Sequence, residues 1–236
     1  MTALFGAELL KVRTVRTLLW IGLANAVLVL IAAISIAAST DSIQTADDDR
    51  SVAQIAGAAL VFGLIAGIVV MAGEATHGTI TQTLLVTPVR ERVLLVKAAV
   101  AALVALVLAL LAEAIVLAVT VPGASLEVHN ARLVFVGVLI GAPLTGALGV
   151  GVGAIVHGQG AAIAISLVWL LIGEHVAPLL SRDLEKYTPG RAFGALASGA
   201  RTGGELLGMG AGGIAAAAWT GLFITAGLFA FLGRDA

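Results

Sequence analysis

Six long apolar blocks constrain this chain more than any other feature of its sequence. They fall at roughly 18–38, 52–73, 94–119, 133–156, 161–180 and 211–232. Each is long enough to cross a hydrocarbon core of about 30 Å, which takes about 20 residues of helix. Inside a bilayer every backbone polar group must be paired within the protein, which leaves helices or closed barrels. No block alternates polar and apolar side chains as a barrel strand does. The predicted class is therefore all-α: a polytopic membrane protein with six transmembrane helices. Composition agrees, at 60% hydrophobic and 11% charged, where soluble domains average about 45–50% and 25%. The longest polar piece, 181–210, is a loop with Pro189 and several glycines, so 1–236 reads as one transmembrane domain.

Charge placement sets an expected orientation. Lys11, Arg13 and Arg16 precede the first block and Arg90, Arg92 and Lys97 border the third, whereas the first connection carries Asp47, Asp48 and Asp49 with one Arg50. By the positive-inside rule both termini are expected in the cytoplasm, with 181–210 outside. The basic residues before the first block, and a Ser35-Ile36-Ala37 resembling a cleavage site, also fit a signal peptide. Signal-peptide apolar runs span only about 7–15 residues, so the block reads as an uncleaved span. A formal net charge of −1 gives no basic field for nucleic acid, and the absence of cysteine removes thiol catalysis and thiolate metal sites.

Two segments outside the spans are informative. In 1–17, Phe5, Leu9 and Val12 share a helical face while Glu8, Lys11 and Arg13 lie elsewhere. That pattern suits a short interfacial helix ahead of Arg16, the other reading being a solvated basic tail. In 74–92, an acid, a histidine and threonines mix with Ile80, Leu84 and Leu85 at helical spacing, and the stretch ends in Pro88, Arg90 and Arg92. An amphipathic helix of this kind docks into a groove on a soluble partner, or else hugs the membrane as a connector.

Glu74, His77, Gly78, Thr79 and Ile80, then Thr83, Leu84 and Leu85, then Pro88, Arg90, Arg92 and Lys97 together resemble the cytoplasmic signature of ABC-2 type (type V) ABC transporter permeases. The opening Ala7-Glu8-Leu9-Leu10-Lys11-Val12-Arg13-Thr14-Val15-Arg16 is similar to the start of many bacterial members. The resemblance implies several things. Residues 74–92 would include the coupling helix that contacts a nucleotide-binding subunit, residues 3–16 would form the interfacial connecting helix, and the 5–6 loop would hold short helices. It also implies two membrane subunits, identical or related, in a bacterial plasma (inner) membrane. Ala75 and Thr76 depart from the aromatic and basic residues common in relatives, so no contact is carried over to them.

The sequence has no G-x-x-x-x-G-K-[ST] phosphate loop. ATP and Mg are expected on a separate P-loop ABC ATPase, and no cofactor is expected on this chain. Small residues recur every fourth position at Gly137, Gly141, Thr145, Gly149 and Gly153, at Ala59, Gly63 and Gly67, and at Gly213, Ala217, Gly221 and Thr225. Such faces let helices approach closely.

Ionisable residues inside spans cost about 2.5–3.5 kcal/mol each at mid-membrane on insertion scales, so Glu113, Glu174 and His175 stand out. A place on the transport pathway is one reading. The other puts Glu113 near the outer interface or pairs it with a neighbour, and makes Glu174 and His175 the end of span 5. Four scattered histidines, His77, His129, His157 and His175, do not make a metal site by spacing, and His157 reads as a connector. No His-Glu-x-x-His or Gly-x-Ser-Gly setting supports an enzyme. The expected function is the permease subunit of an ATP-driven exporter for a hydrophobic or amphipathic compound, with lipids and the ATPase as partners. The alternative is a non-transporting sensory or immunity component that docks another cytoplasmic protein.

Overall fold

The computed structural model describes residues 2–39, 45–156, 158–180, 185–199 and 207–233. His157 lies outside them. Among the described residues every regular element is a helix, and six helical stretches are long and apolar enough to cross a membrane. The chain is an all-α polytopic membrane protein.

Helix α1 (Thr2–Thr14) breaks at Val15, whose backbone is extended, and α2 (Arg16–Ala38) forms the first span. A short α3 (Ala46–Ala53) and a 3-10 turn (Gln54–Gly57) lead into α4 (Ala58–Thr76). Helix α5 (Ile80–Val86) precedes α6 (Arg90–Ala124), and α7 (Val128–Ile155) returns across the bundle. At about 1.5 Å per residue, the 35 residues of α6 exceed the hydrocarbon core and carry its first turns beyond it.

The fifth span is not one continuous α-helix. It runs as α8 (Gln159–Val168), a π turn (Trp169–Gly173) and α9 (Glu174–Leu180). Glu174 and His175 lie at its end, and residues from further along the chain come back to it. Thr188 and Gly190 return to Glu174, and α10 (Pro189–Ser198) packs against α7 and the last span, α11 (Met209–Leu232). Helix α10 ends at Gly199, whose φ of +63° suits glycine. A side chain on Gly137 would meet the carbonyl oxygen of Leu196 at 1.9 Å.

The core is α4 against α7, with α6 on both. The small-residue faces of α4 and α7 meet as their spacing predicts. A Cβ on Gly67 would lie 2.1 Å from the Gly146 carbonyl oxygen, and one on Gly149 would lie 2.2 Å from that of Leu64. The register predicted for α11 is corrected. Gly212, Ala216, Thr220 and Gly227 face inward, while Ala217, Gly221 and Thr225, from the 213–225 ladder, are exposed. The choice turns on Gly227, which packs on Gly151, and on Thr220, whose hydroxyl reaches the Leu144 carbonyl.

At the α3 end, Asp49 is buried and caps the start of α7. Its two oxygens accept from the Glu127 backbone N–H (3.0 Å) and the Asn130 side-chain amide (2.8 Å). The three consecutive aspartates thus include one that clips two helices together, beyond any effect on orientation.

Candidate functional site

The informative residues gather at the opposite end, where α1, the last turn of α4, α5 and the first turns of α6 converge. The backbone dictates the arrangement. Helix α4 ends at Thr76, and Gly78 takes φ +68°, a left-handed conformation that turns the chain sharply. The Thr79 N–H closes the turn on the Glu74 carbonyl at 2.9 Å. Nine residues after Thr79, Pro88 forces Thr87 into extended backbone, which ends α5 and lets α6 start afresh at Arg90.

Four charged side chains interlock across these elements. Lys97, on α6, is fully buried and donates to Glu8 Oε2 of α1 at 2.7 Å, and it pairs with Glu74 Oε1 of α4 at 2.7 Å. Lys11 donates to Glu8 Oε1 (2.6 Å), Glu74 Oε1 (2.7 Å) and the Thr83 hydroxyl of α5 (3.1 Å). Thr83 in turn donates to Glu74 Oε2 at 3.2 Å. Two lysines and two glutamates balance in charge, and each ion has charged neighbours that offset its desolvation. Burial works against the Lys11 charge, but hydrogen bonds and attraction from Glu74 and Glu8 outweigh it and hold its ammonium above the usual lysine range.

The signature residues divide between inward and outward roles. Ile80 and Leu84 pack against the bundle beside Met71, Val93 and Leu94, whereas Leu85 and Val86 are 81% and 85% exposed. Of the three apolar residues at helical spacing, only Leu85 points away from the bundle. Arg90 is also turned inward. Its guanidinium donates to the carbonyls of Phe231 (2.9 Å) and Leu232 (3.4 Å) and lies over the Phe231 ring. It therefore caps the last turn of α11, where unpaired carbonyls and the helix dipole favour a cation. His77 is exposed, with Nδ1 2.7 Å from the Gly73 carbonyl oxygen, and Pro88, Arg92, Arg13 and Arg16 are exposed too.

The remaining ionisable candidates lie apart from this cluster. Glu113 is 8% exposed on α6, and its Oε1 has no hydrogen-bond partner. Glu174 is buried with a full set of donors: the Trp169 indole N–H (3.0 Å), the Gly190 backbone N–H (2.7 Å) and the Thr188 hydroxyl. It sits at the N-terminus of α10, where a carboxylate is favoured, and it ties the π turn to the returning chain. His175 is exposed. The structure does not bring Glu113 into the Glu174 network. Among the described residues no group of three or more His, Cys, Asp or Glu is placed to hold a metal ion.

Sequence reading missed three functional contributors to this architecture: Lys97 as the centre of the cluster, Asp49 as the cap of α7, and Asn25. Asn25 is fully buried in α2 and donates to the Leu108 carbonyl at 3.1 Å. Lys97 carried a usable signal, because a lone lysine two turns into an apolar helix demands a counter-charge.

A cavity of about 670 Å³ opens beside the cluster, between α1, the start of α2, the end of α4, α5 and Gln159. Lys11, Glu74 and Thr83 form part of its wall.

Six spans, a short helix before the first of them and a second short helix between spans 2 and 3 thus meet through charged side chains. The family model described as ABC-2 family transporter protein matches residues 4–178, and the chain belongs to that family. No curated protein matches the chain.

Proposed function

We propose that the chain is the membrane subunit of an ATP-driven exporter that moves a hydrophobic or amphipathic compound, with ATP and Mg bound by a separate P-loop ATPase. The observation that carries this reading is the charge cluster. It joins α1, α4, α5 and α6 directly behind a short helix that offers Leu85 and Val86 to solvent. A partner that seats on those two side chains and moves α5 shifts Thr83 and with it Lys11, Glu74 and Lys97, so three further helices respond to one push. Such a device biases a two-state permease between inward and outward arrangements.

On this reading the α1 end faces the cytoplasm of a bacterial inner membrane, in keeping with Lys11, Arg13, Arg16, Arg90 and Arg92 there. Spans 1, 5 and 6 bury only 17%, 11% and 22% of their apolar windows within the chain. That leaves room for a second membrane subunit, identical or related, to complete the pathway. The test is gentle purification of the tagged chain from its native membrane, identification of co-purifying proteins by mass spectrometry, and an ATP hydrolysis assay. A stoichiometric P-loop ATPase with activity is the expected result. A chain that purifies with a non-ATPase partner refutes the exporter reading and favours a sensory or immunity role.

A further inference from the structure

The polar stretch between the fifth and sixth spans reaches into the thickness of the bilayer. Followed backwards along α10, contacts step down α7: Gly199 meets Leu133 and Val134, Leu196 meets Gly137, and Phe193 meets Gly141. At about 1.5 Å per residue, Gly141 lies about 20 Å from the start of α7 at Val128. The 28 residues of α7 measure about 42 Å and overhang a core of about 30 Å by about 6 Å at each end, so Phe193 sits about 14 Å below the boundary opposite α1. The last span gives the same depth by its own count. The Trp219 indole N–H donates to the Tyr187 carbonyl at 2.6 Å. Trp219 is ten residues into the 24-residue α11, which puts it about 12 Å below that boundary. Residues 185–188 therefore lie at the depth of the hydrocarbon core.

What the segment is made of does not suit lipid at that depth. Residues 186–188 are not helical, and Tyr187 is 55% exposed. Glu185 and Arg191 form an ion pair at 2.6 Å that is only partly covered, and Lys186 is partly exposed beside it. Non-helical backbone at membrane depth is tolerated where protein buries it or water reaches it, and this chain leaves it uncovered. Lipid would meet three charged groups that cost about 2.5–3.5 kcal/mol each near mid-membrane on insertion scales. A dry contact with a second subunit would strip water from the same three. We propose that water from the face opposite α1 reaches down to Glu185, Tyr187 and Arg191, filling a recess that ends near the middle of the bilayer. Glu174, bonded to Thr188 and Gly190, holds the segment at this level. The recess shortens the apolar stretch toward the α1 side from about 30 Å to about 17 Å. This goes beyond the exporter reading, on which the recess is where a departing compound first meets water.

The sequence supplies a clean background for the test, with no cysteine and a single tyrosine. Tyr187→Cys is compared with Leu28→Cys and Leu110→Cys, at exposed apolar positions of comparable depth on α2 and α6. Asp47→Cys and Arg13→Cys, both at exposed positions, mark the two faces. Sealed vesicles in which Asp47→Cys reacts with a membrane-impermeant sulfonated maleimide, and Arg13→Cys does not, fix the side of addition. The maleimide attacks the thiolate, which forms in water and not in hydrocarbon. Tyr187→Cys should react within about tenfold of the rate of Asp47→Cys, and Leu28→Cys and Leu110→Cys at least about a hundredfold more slowly. Hydroxyl-radical footprinting of the wild-type chain in nanodiscs covers a Tyr187→Cys that fails to fold. The radicals arise from water, so Tyr187 should be oxidised and Leu110 should not. A Tyr187→Cys as slow as Leu110→Cys, labelling of Tyr187→Cys only from the Arg13 side, or a wild-type Tyr187 protected from oxidation overturns the recess. None of these readouts needs an ATPase or a cargo, so the recess and the exporter reading fail separately.

Discussion

Removing the Lys97 ammonium probes the logic of the charge cluster most directly. Lys97 is fully buried and meets Glu8 and Glu74 at 2.7 Å each. At an effective dielectric of about 20, each contact is worth roughly 6 kcal/mol gross. Desolvation of the ions, at several kcal/mol each, offsets most of this, and breaking a buried pair by deleting one partner costs about 3–5 kcal/mol net. Lys97→Met keeps the length of the side chain and leaves Glu8 and Glu74 with Lys11 alone, an excess negative charge in a largely buried cluster. For a chain of this size that corresponds to a fall in Tm of roughly 6–20 °C. Adding Glu8→Gln restores neutrality, because Lys11 and Glu74 then remain as one pair. The double variant should recover about 0.5–3 kcal/mol relative to the sum of the two single changes. Thermal unfolding of the purified protein in detergent measures all three, and limited proteolysis of α1 reports its release. A shift below about 2 °C for Lys97→Met, or strict additivity in the double variant, would refute the claim that the four charges act as a unit.

Other substitutions separate packing from signalling. At Gly78 an added Cβ meets nothing within 4 Å, but Gly78→Leu forces a side chain onto φ +68°, costing about 1–2 kcal/mol; reconstituted assays should show ATP hydrolysis retained and transport per ATP reduced. Gly67→Ala drives a Cβ to 2.1 Å from the Gly146 carbonyl and should destabilise by about 1–3 kcal/mol, whereas Gly221→Ala, with nothing within 4 Å, should change Tm by less than the scatter between preparations. Asp49→Ala removes both acceptors at the start of α7, and chemical denaturation should register a loss of about 0.5–2 kcal/mol. Glu113→Gln should leave assembly and Tm unchanged, because Oε1 has no hydrogen bond to lose; a loss of transport alone would place Glu113 on the pathway.

The six spans were legible because the hydrocarbon core imposes a length that a run of Leu, Val, Ile and Ala displays openly. The same rule says nothing about how a span ends. The π turn at Trp169–Gly173 and the return of α10 depend on Glu174 finding Trp169, Thr188 and Gly190, pairings 5, 14 and 16 residues apart that no period encodes. Register on α11 failed for a related reason. Its composition is small on two adjacent faces, and Gly151 and Leu144 of α7 decide which of them is buried. At the candidate site, residue types were readable but directions were not. Spacing placed Ile80, Leu84 and Leu85 on one helix, yet a seven-residue helix against a bundle must bury one side. That side takes Ile80 and Leu84 and leaves Leu85.

The glycine seam between α4 and α7 fixes what can move. Where carbonyl oxygens of one helix rest on the α-carbons of another, no side chain is present to bend, rotate or repack, and sliding by a fraction of a turn brings backbone against backbone. The pair therefore behaves as a keel. Any change of shape that opens a route through the protein has to swing the lightly held helices α2 and α8 about it. The hinges available at the α1 end are the single-residue joint at Val15 and the left-handed turn at Gly78.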